Sequence, residues 1–312
     1  MSQNGSGHLV NSIWGLQIQP PNTKEEREGN LTDQIWPIVS SFLLEMSILF
    51  LFAAGFHLIM RVPKFLNIAH PDYATLGAYI IWTLVVAVGW NIWLAVVIST
   101  AAVGAVAVLI DRFSFRYLRG APLALLLCSM GVALVVRYGI FIGWTGRFRK
   151  LIVDLPNLVI SGTVVSGTLL LALGLVVLVL LTFLFIVNRT PLGVRIRALA
   201  DNSLLAESFG IDTEKTLRFV WFLSGASAPL GGLVLVLYRP LTYDVCFMWI
   251  LLIIAVSILA GEKVSFTRLL GACAIIAAGM ELGLFFLPEA YTMAIGFAIL
   301  IIAIIVRRVV SR

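Results

Sequence analysis

The sequence predicts an all-α integral membrane protein, a polytopic helical bundle of about nine transmembrane helices, with eight to ten as the range. Two observations carry that reading. Hydrophobic residues make up 60% of the chain and charged residues only 12%, a balance that soluble globular chains rarely show. Several apolar runs also reach the roughly 18 to 20 residues that a helix needs to cross a bilayer. The net charge of +6 then belongs with loop topology and contact with anionic membrane lipid, and is no sign of nucleic-acid binding.

Residues 1–34 are polar, with an acidic cluster at Glu25, Glu26 and Glu28. They read as an extracytoplasmic tail that is mostly disordered, although His8 to Leu16 could lie on a membrane surface. No basic segment followed by an apolar core and a small-residue cleavage site is present, so no signal peptide is expected. Residues 35–312 form the transmembrane domain. Its apolar spans fall at about 37–60, 74–89, 92–110, 121–143, 168–188, 216–238, 245–260, 269–287 and 291–306. The second and third come from one long run divided at Gly89-Trp90-Asn91, a turn signal. Trp36, Trp90, Trp93, Trp144 and Tyr291 sit near span ends, as interfacial aromatics should. Cys128, Cys246 and Cys273 lie in or beside apolar segments without metal-ligand spacing and read as small packing residues.

Nine crossings place the two chain ends on opposite sides, and the positive-inside rule orients them. Fourteen lysines and arginines fall on the side holding 61–73, 111–120, 189–215, 261–268 and the C-terminus, and six on the other. The N-terminus is therefore expected outside and the C-terminus inside. The basic cluster Arg147-Phe148-Arg149-Lys150 on the outer side is the exception. One re-entrant span would lower the count to eight and move the N-terminus inside.

Phe65 to Tyr79, FLNIAHPDYATLGAY, gathers an Asn, a His, a Pro and an Asp where an apolar run would otherwise continue. His70-Pro71 is incompatible with a smooth helix, because residue 71 cannot donate and residue 70 is pushed toward extended geometry. A broken helix at membrane depth must be buried in protein or line a wet cavity. The simpler alternative is a short cytoplasmic turn, with Asn67 and Asp72 as cap formers. Ionisable groups inside spans are functional candidates by default: Glu45, His57, Arg137 and Glu281, with Arg218 close to an interface. His57 reads as a hydrogen-bonded packing residue. Glu45 and Arg137, of opposite charge, are candidates to pair. Asn67, His70, Glu45, Arg137 and Glu281 are the candidate residues of a translocation path.

Thr190 to Glu214 is the longest charged, helix-capable segment between two apolar runs. Thr190 suits an N-cap and Pro191 a first turn. Leu192, Ile196 and Leu199 recur at helical spacing. Asn202 can cap a second short helix carrying Leu205 and Phe209, Gly210 fits the left-handed residue that ends it, and Asp212 or Thr213 can cap the long apolar helix beyond. The segment is either a docking feature of two short helices or an ordinary solvated loop.

Gly193, Arg197-Ala198, Asn202, Ala206 and Gly210-Ile211 resemble, at matching spacing, the cytoplasmic loop of the branched-chain amino acid permeases of ABC importers. Leu66-Asn67-Ile68-Ala69-His70 followed by Gly77-Ala78-Tyr79 resembles another signature of that family, with Pro71 where glycine is usual. Asp111 to Pro122, DRFSFRYLRGAP, resembles its basic cytoplasmic linker through Arg116 and Arg119, although the positive-inside rule alone would also put arginines there. Ser129-Met130-Gly131 resembles a small-residue site where glycine lets neighbouring helices approach. The chain is thus identified as a divergent member of that family, which also takes in urea and amide importers. Departures lie toward the C-terminus, where Ala260 to Arg268 replaces a glycine-rich motif, with Lys263 and Thr267 at glycine positions, and Leu252 stands where a lysine is common. Glu281 lies two residues from an acidic family position.

The resemblance implies a permease subunit, multi-pass in a prokaryotic cell membrane, with region 189–215 as the coupling segment. Gly193, Arg197, Ala198, Asn202, Ala206 and Gly210 would contact the ATPase, with Ala206 kept small for close approach of that partner. Implied partners are cytoplasmic ATPase subunits, a second permease subunit and an extracytoplasmic solute-binding protein. No H-E-x-x-H, G-x-S-x-G or G-x-x-x-x-G-K-[ST] pattern occurs, and the three histidines do not cluster. The chain is therefore expected not to be an enzyme, to hold no metal or cofactor of its own, and to leave ATP to its partners. The alternative is a secondary transporter or channel in which Glu45, Arg137 and Glu281 are the coupling residues. An integral membrane enzyme is disfavoured.

Overall fold

The computed structural model describes residues 24–160, 163–284, 286, 291, 294–299, 301, 302 and 305, with side chains from residue 35 onward save that of Ile160. The chain divides between Val39 and Ser40 into two units, each taken by itself. In the first, the described residues lie in helix α1, which runs Lys24–Arg61. Residues 24–34, expected to belong to a mostly disordered tail, are thus helical. The Lys, Glu and Arg of KEERE are good helix formers, which a polar composition alone does not reveal. The segment His8 to Leu16 lies outside the described residues.

The second unit is built around α8 (Thr213–Tyr238). Preceding it are α2 (His70–Trp82), α3 (Ile92–Phe113), α4 (Pro122–Trp144), α5 (Gly167–Arg189), α6 (Pro191–Asp201) and α7 (Ser203–Ser208). Following it are α9 (Ile250–Leu259) and α10 (Phe266–Leu284). Among α2 to α10, the most extensive helix contact is α3 with α8, followed by α2 with α8. Small residues allow that closeness. A Cβ at Gly225 would overlap Ala107 and the Val103 carbonyl of α3, and one at Gly232 would overlap the Ala74 carbonyl of α2. Gly55 of α1 meets Ser224 and Ser227, and Gly77 of α2 meets Pro229. Helices in lipid gain their packing energy from such backbone approach, because lipid tails offer no hydrophobic drive between them.

Six helical segments among the described residues are long and apolar enough to cross a membrane: Ile35–Arg61, Ile92–Phe113, Pro122–Trp144, Gly167–Arg189, Thr213–Tyr238 and Phe266–Leu284. Of the other three expected spans, two take less regular forms and the last is described only in part. The span expected at 74–89 begins earlier, at His70, and α2 continues through a π-helical turn at Thr83–Ala87. The 245–260 span holds a 3-10 turn, Phe247–Trp249, and the ten-residue α9. Residues 294–299, 301, 302 and 305 of the last are helical.

Gly89, at φ +79°, makes the expected turn before α3, and the Asn91 side chain caps α3 by accepting from the Trp93 N–H at 2.9 Å. Among the described residues, a short strand pair departs from an all-α reading. Strands β1 (Leu158–Ile160) and β2 (Thr163–Val165) pair antiparallel, with Val159 opposite Val164. Three residues per strand are too few to leave a periodic signal. The cysteines are free, Cys246 and Cys273 buried and Cys128 half-buried, in keeping with packing roles.

Candidate functional site

Helices α6 and α7 form where their caps predict. The Thr190 hydroxyl oxygen accepts from the Gly193 N–H at 3.2 Å, with Pro191 in the first turn. Gly193 lies so close to the Ile186 and Val187 carbonyls that a Cβ would overlap them. The Arg197 guanidinium donates to the same Val187 carbonyl. Together these two residues set the corner between α5 and α6. Asn202 ends α6 and caps α7, its Oδ1 accepting from the Leu205 N–H at 3.1 Å. Gly210, at φ +80°, closes α7; its N–H donates to the Glu207 carbonyl at 2.9 Å, and the Ile211 N–H donates to Ala206 at 3.1 Å. Asp212 then caps α8, accepting from the Lys215 N–H at 2.9 Å. That N–H, helped by the Lys215 ammonium, holds the Asp212 carboxyl below its ordinary pKa.

The faces of α7 differ from expectation at one residue. Ala206 is 4% exposed, packed inside its own chain, where the sequence reading set it on a partner surface. The Asn202 cap and the Gly210 turn fix the rotation of α7, and that rotation sends Ala206 inward. Leu204 (78% exposed), Phe209 (80%), Leu205 and Val194 face away from the fold instead. Ala198 is half-buried and Asn202 exposed. Large apolar side chains are thus gathered in the open on a short polar segment.

Inside that surface, Phe65, Leu125, Leu199, Ser203, Glu207 and Trp221 help line a cavity of about 380 Å³. Asp111, Arg119 and Glu214 share its wall. Arg119 forks between both Asp111 oxygens, at 2.9 and 2.6 Å, and Glu214 Oε1 at 2.9 Å. Arg116 pairs with the same Glu214 oxygen at 3.3 Å.

The stretch at Asn67–Asp72 is neither a kink within a helix nor a surface turn. Proline begins α2, where its missing N–H is harmless, and Asn67, His70 and Asp72 are fully buried. Asn67 Oδ1 accepts from the Ala69 N–H at 3.2 Å, a side-chain turn that substitutes for helix. The Ile68 N–H donates to Ser129 Oγ at 3.2 Å. Ser129 lies in α4, roughly 10 Å along the axis from Pro122. The His70 ring donates from Nε2 to the Phe52 carbonyl of α1 at 3.0 Å. The Asn67 and Ser129 bonds satisfy the Ala69 and Ile68 N–H groups ahead of α2 within the protein, and the His70 bond ties this stretch to α1.

Asp72 caps nothing. It takes Arg137 in a bidentate pair, Nε to Oδ1 at 2.9 Å and Nη2 to Oδ2 at 3.0 Å. The guanidinium also lies over the Phe247 ring, 3.6 Å from its centroid. The expected Glu45–Arg137 pairing is thereby corrected. The fork needs a carboxylate at the level of Arg137 on a facing helix, which Asp72 supplies from the first turn of α2. Opposite charges in two apolar stretches are the only sequence signal for the pair, and an Asp beside a proline suits a helix cap equally well.

A family model described as branched-chain amino acid transport system / permease component matches residues 38–304. The chain belongs to that family. A Methanocaldococcus jannaschii protein described as a probable branched-chain amino acid transport permease, LivH, is 27% identical over 239 residues, covering 72% of this chain and 74% of that one. A solved structure of PsaBC from Streptococcus pneumoniae in complex with Fab has a TM-score of 0.48 at 12% identity, covering 85% of this chain and 89% of that one. The protein is accordingly a divergent member of the permease family, a multi-pass protein of the cell membrane and a transport subunit, not an enzyme.

The remaining candidates of this permease fall in separate places. Glu45 is half-buried on α1. Glu281 is 7% exposed on α10, and its Oε1 has no hydrogen-bond partner among the described residues. His57 packs edge-on against Phe266 and bonds through Nε2 to the Lys263 carbonyl at 3.4 Å, the packing role expected of it. That contact also gives the divergent stretch 260–268 a use, since Gly261, at φ +91°, turns the chain so that Lys263 meets α1. Leu252, at the position where lysine is common, is fully buried. Gly131 has open space before it, so the small-residue contact expected there is made by buried Ser129 instead.

Proposed function

We propose that this permease is the membrane-spanning subunit of a prokaryotic ABC importer, moving a small polar solute such as a branched-chain amino acid, urea or a short amide. Separate ATPase subunits use the ATP, and this chain binds no cofactor. The observation that carries the reading is the α6–α7 pair. Gly193, Arg197 and Asn202 fix its shape, while Leu204, Leu205 and Phe209 stand exposed on a segment joining two apolar spans. A rigid apolar knob suits docking into a partner's groove. The ATPase-coupling role belongs to Gly193, Arg197, Ala198, Asn202, Ala206 and Gly210 as the frame, and to Leu204, Leu205 and Phe209 as the contact. A second permease subunit and an extracytoplasmic solute-binding protein complete the assembly.

Nine crossings are reached if the helix from His70 to Ala87, the 245–260 segment and the terminal segment each cross beside the six long helices. The lysine and arginine distribution then sets α6–α7 in the cytoplasm. Co-purification tests the coupling reading. The wild-type permease should bring down its ATPase subunits, and Phe209→Asp, at an exposed site, should insert normally and lose them. Retained association would reject the dock.

The buried Asp72–Arg137 pair also suits a secondary transporter or channel, since intramembrane charges mark ion or substrate paths. Transport by the purified wild-type chain without any ATPase subunit would favour that second reading.

A further inference from the structure

The joint that follows the α6–α7 pair has a specific polar construction. Glu214 lies in the first turn of α8, immediately after the Gly210 turn and the Asp212 cap. Its carboxylate receives Arg119 at 2.9 Å and Arg116 at 3.3 Å. Arg119, on the linker after α3, also holds both oxygens of Asp111, which is 2% exposed in the last turns of α3. One guanidinium thus bridges two carboxylates on two helices, which a lysine's single ammonium cannot reproduce with the same geometry. About three turns further along α8, Gly225 brings it against the α3 backbone. Asp111, Arg119 and Glu214 also wall the cavity of about 380 Å³ beneath α7. The start of α8 is therefore held to the end of α3 by ion pairs beside a cavity.

We propose that Glu214 is a positioning residue for energy coupling. Held by Arg119 and Arg116, it ties the first turn of α8 to α3, so that displacement of α6–α7 enters the bundle through α8 and α3 together. The proposal rests on the ATPase-coupled reading above. Loop arginines that merely satisfy the positive-inside rule would carry no such role, and their carboxylate partner would be dispensable. The arrangement argues otherwise: Asp111 is buried, and Arg119 is shared between it and the one acidic residue in the first turn of α8.

The test uses the full assembly of permease, ATPase subunits and binding protein in liposomes, measuring solute uptake and ATP hydrolysis in the same sample. Glu214→Ala severs the tie at a partly exposed site and leaves Arg119 on Asp111, so no buried charge is stranded. It should keep ATPase association and hydrolysis, while solute moved per ATP falls roughly ten-fold, within the range by which coupling mutations act. Glu214→Asp should recover most of the loss, because a carboxylate remains, and Glu214→Gln should fall between. A variant that is inserted but moves solute at the wild-type ratio overturns the proposal. So does Glu214→Ala that no longer binds the ATPase, since Glu214 would then belong to the dock. If Glu214→Ala fails to insert, the same ratio is read on Glu214→Gln, and a wild-type value there is equally decisive. Failure of the wild-type permease to bind any ATPase subunit would instead strike the functional reading beneath it.

Discussion

Removing Arg137 should be among the costliest single changes in this permease. Arg137→Met deletes both bonds to Asp72, at 2.9 and 3.0 Å, and the stacking on Phe247. Asp72 is 0% exposed, so its carboxylate would be left without a counter-ion among apolar helices. Breaking a buried pair from one side costs about 3–5 kcal/mol, and a desolvated cation–π contact contributes about 2 kcal/mol in addition. The pair itself is worth much less, because burying both charges costs nearly what their attraction returns. Arg137→Met with Asp72→Leu should therefore recover most of the loss. Thermal unfolding of the detergent-purified permease, followed by retained monodispersity, reads the difference. The reasoning fails if Arg137→Met is as stable as wild type, or if the double variant is no better than the single.

Gly193→Val should prevent a folded corner between α5 and α6, since the added side chain meets the Ile186 and Val187 carbonyls; loss of membrane-inserted protein in expression trials checks this. Ala206→Arg should lower stability as well as ATPase association, because the site is buried in the isolated chain, and thermal unfolding of the subunit alone separates those effects. Gly225→Leu should destabilise by about 1–3 kcal/mol or more through overpacking against α3, visible as a lowered unfolding temperature. Labelling of cysteines placed at Ser203 and Thr23 should come from opposite sides of the membrane, and labelling of both from one side would reject nine crossings.

What was legible in the sequence was whatever a local rule specifies. Thr190, Asn202, Gly210 and Asp212 each act through a neighbour no more than four residues away, and all four behave as read. The division at Gly89-Trp90-Asn91 is of the same kind. Partners across the fold were not legible. Asp72 and Arg137 are separated by 65 positions, and nothing between them encodes which helix faces which. The burial of Ala206 was illegible for a related reason, since its small size fits equally well beneath a partner or inside its own chain. Helical tail residues 24–34 were obscured by polarity, which suits a solvated helix as well as a disordered segment.

The distribution of close packing bears on how such a subunit can move. Along α8, Gly225 seats against α3 and Gly232 against α2, while Gly55 of α1 and Gly77 of α2 seat against α8 itself. Backbones in contact cannot slide without overlapping carbonyls and side chains, because packed cores have discrete arrangements and resist continuous deformation. The four helices are thus built to move as one body. At the α6–α7 end the construction changes to ion pairs around a cavity, with Glu214 partly exposed. Ionic contacts tolerate rotation that a glycine seat does not. Displacement of the short helices would therefore turn the start of α8 about its ties to Arg119 and Arg116, and would pass beyond Gly225 only as motion of the whole body.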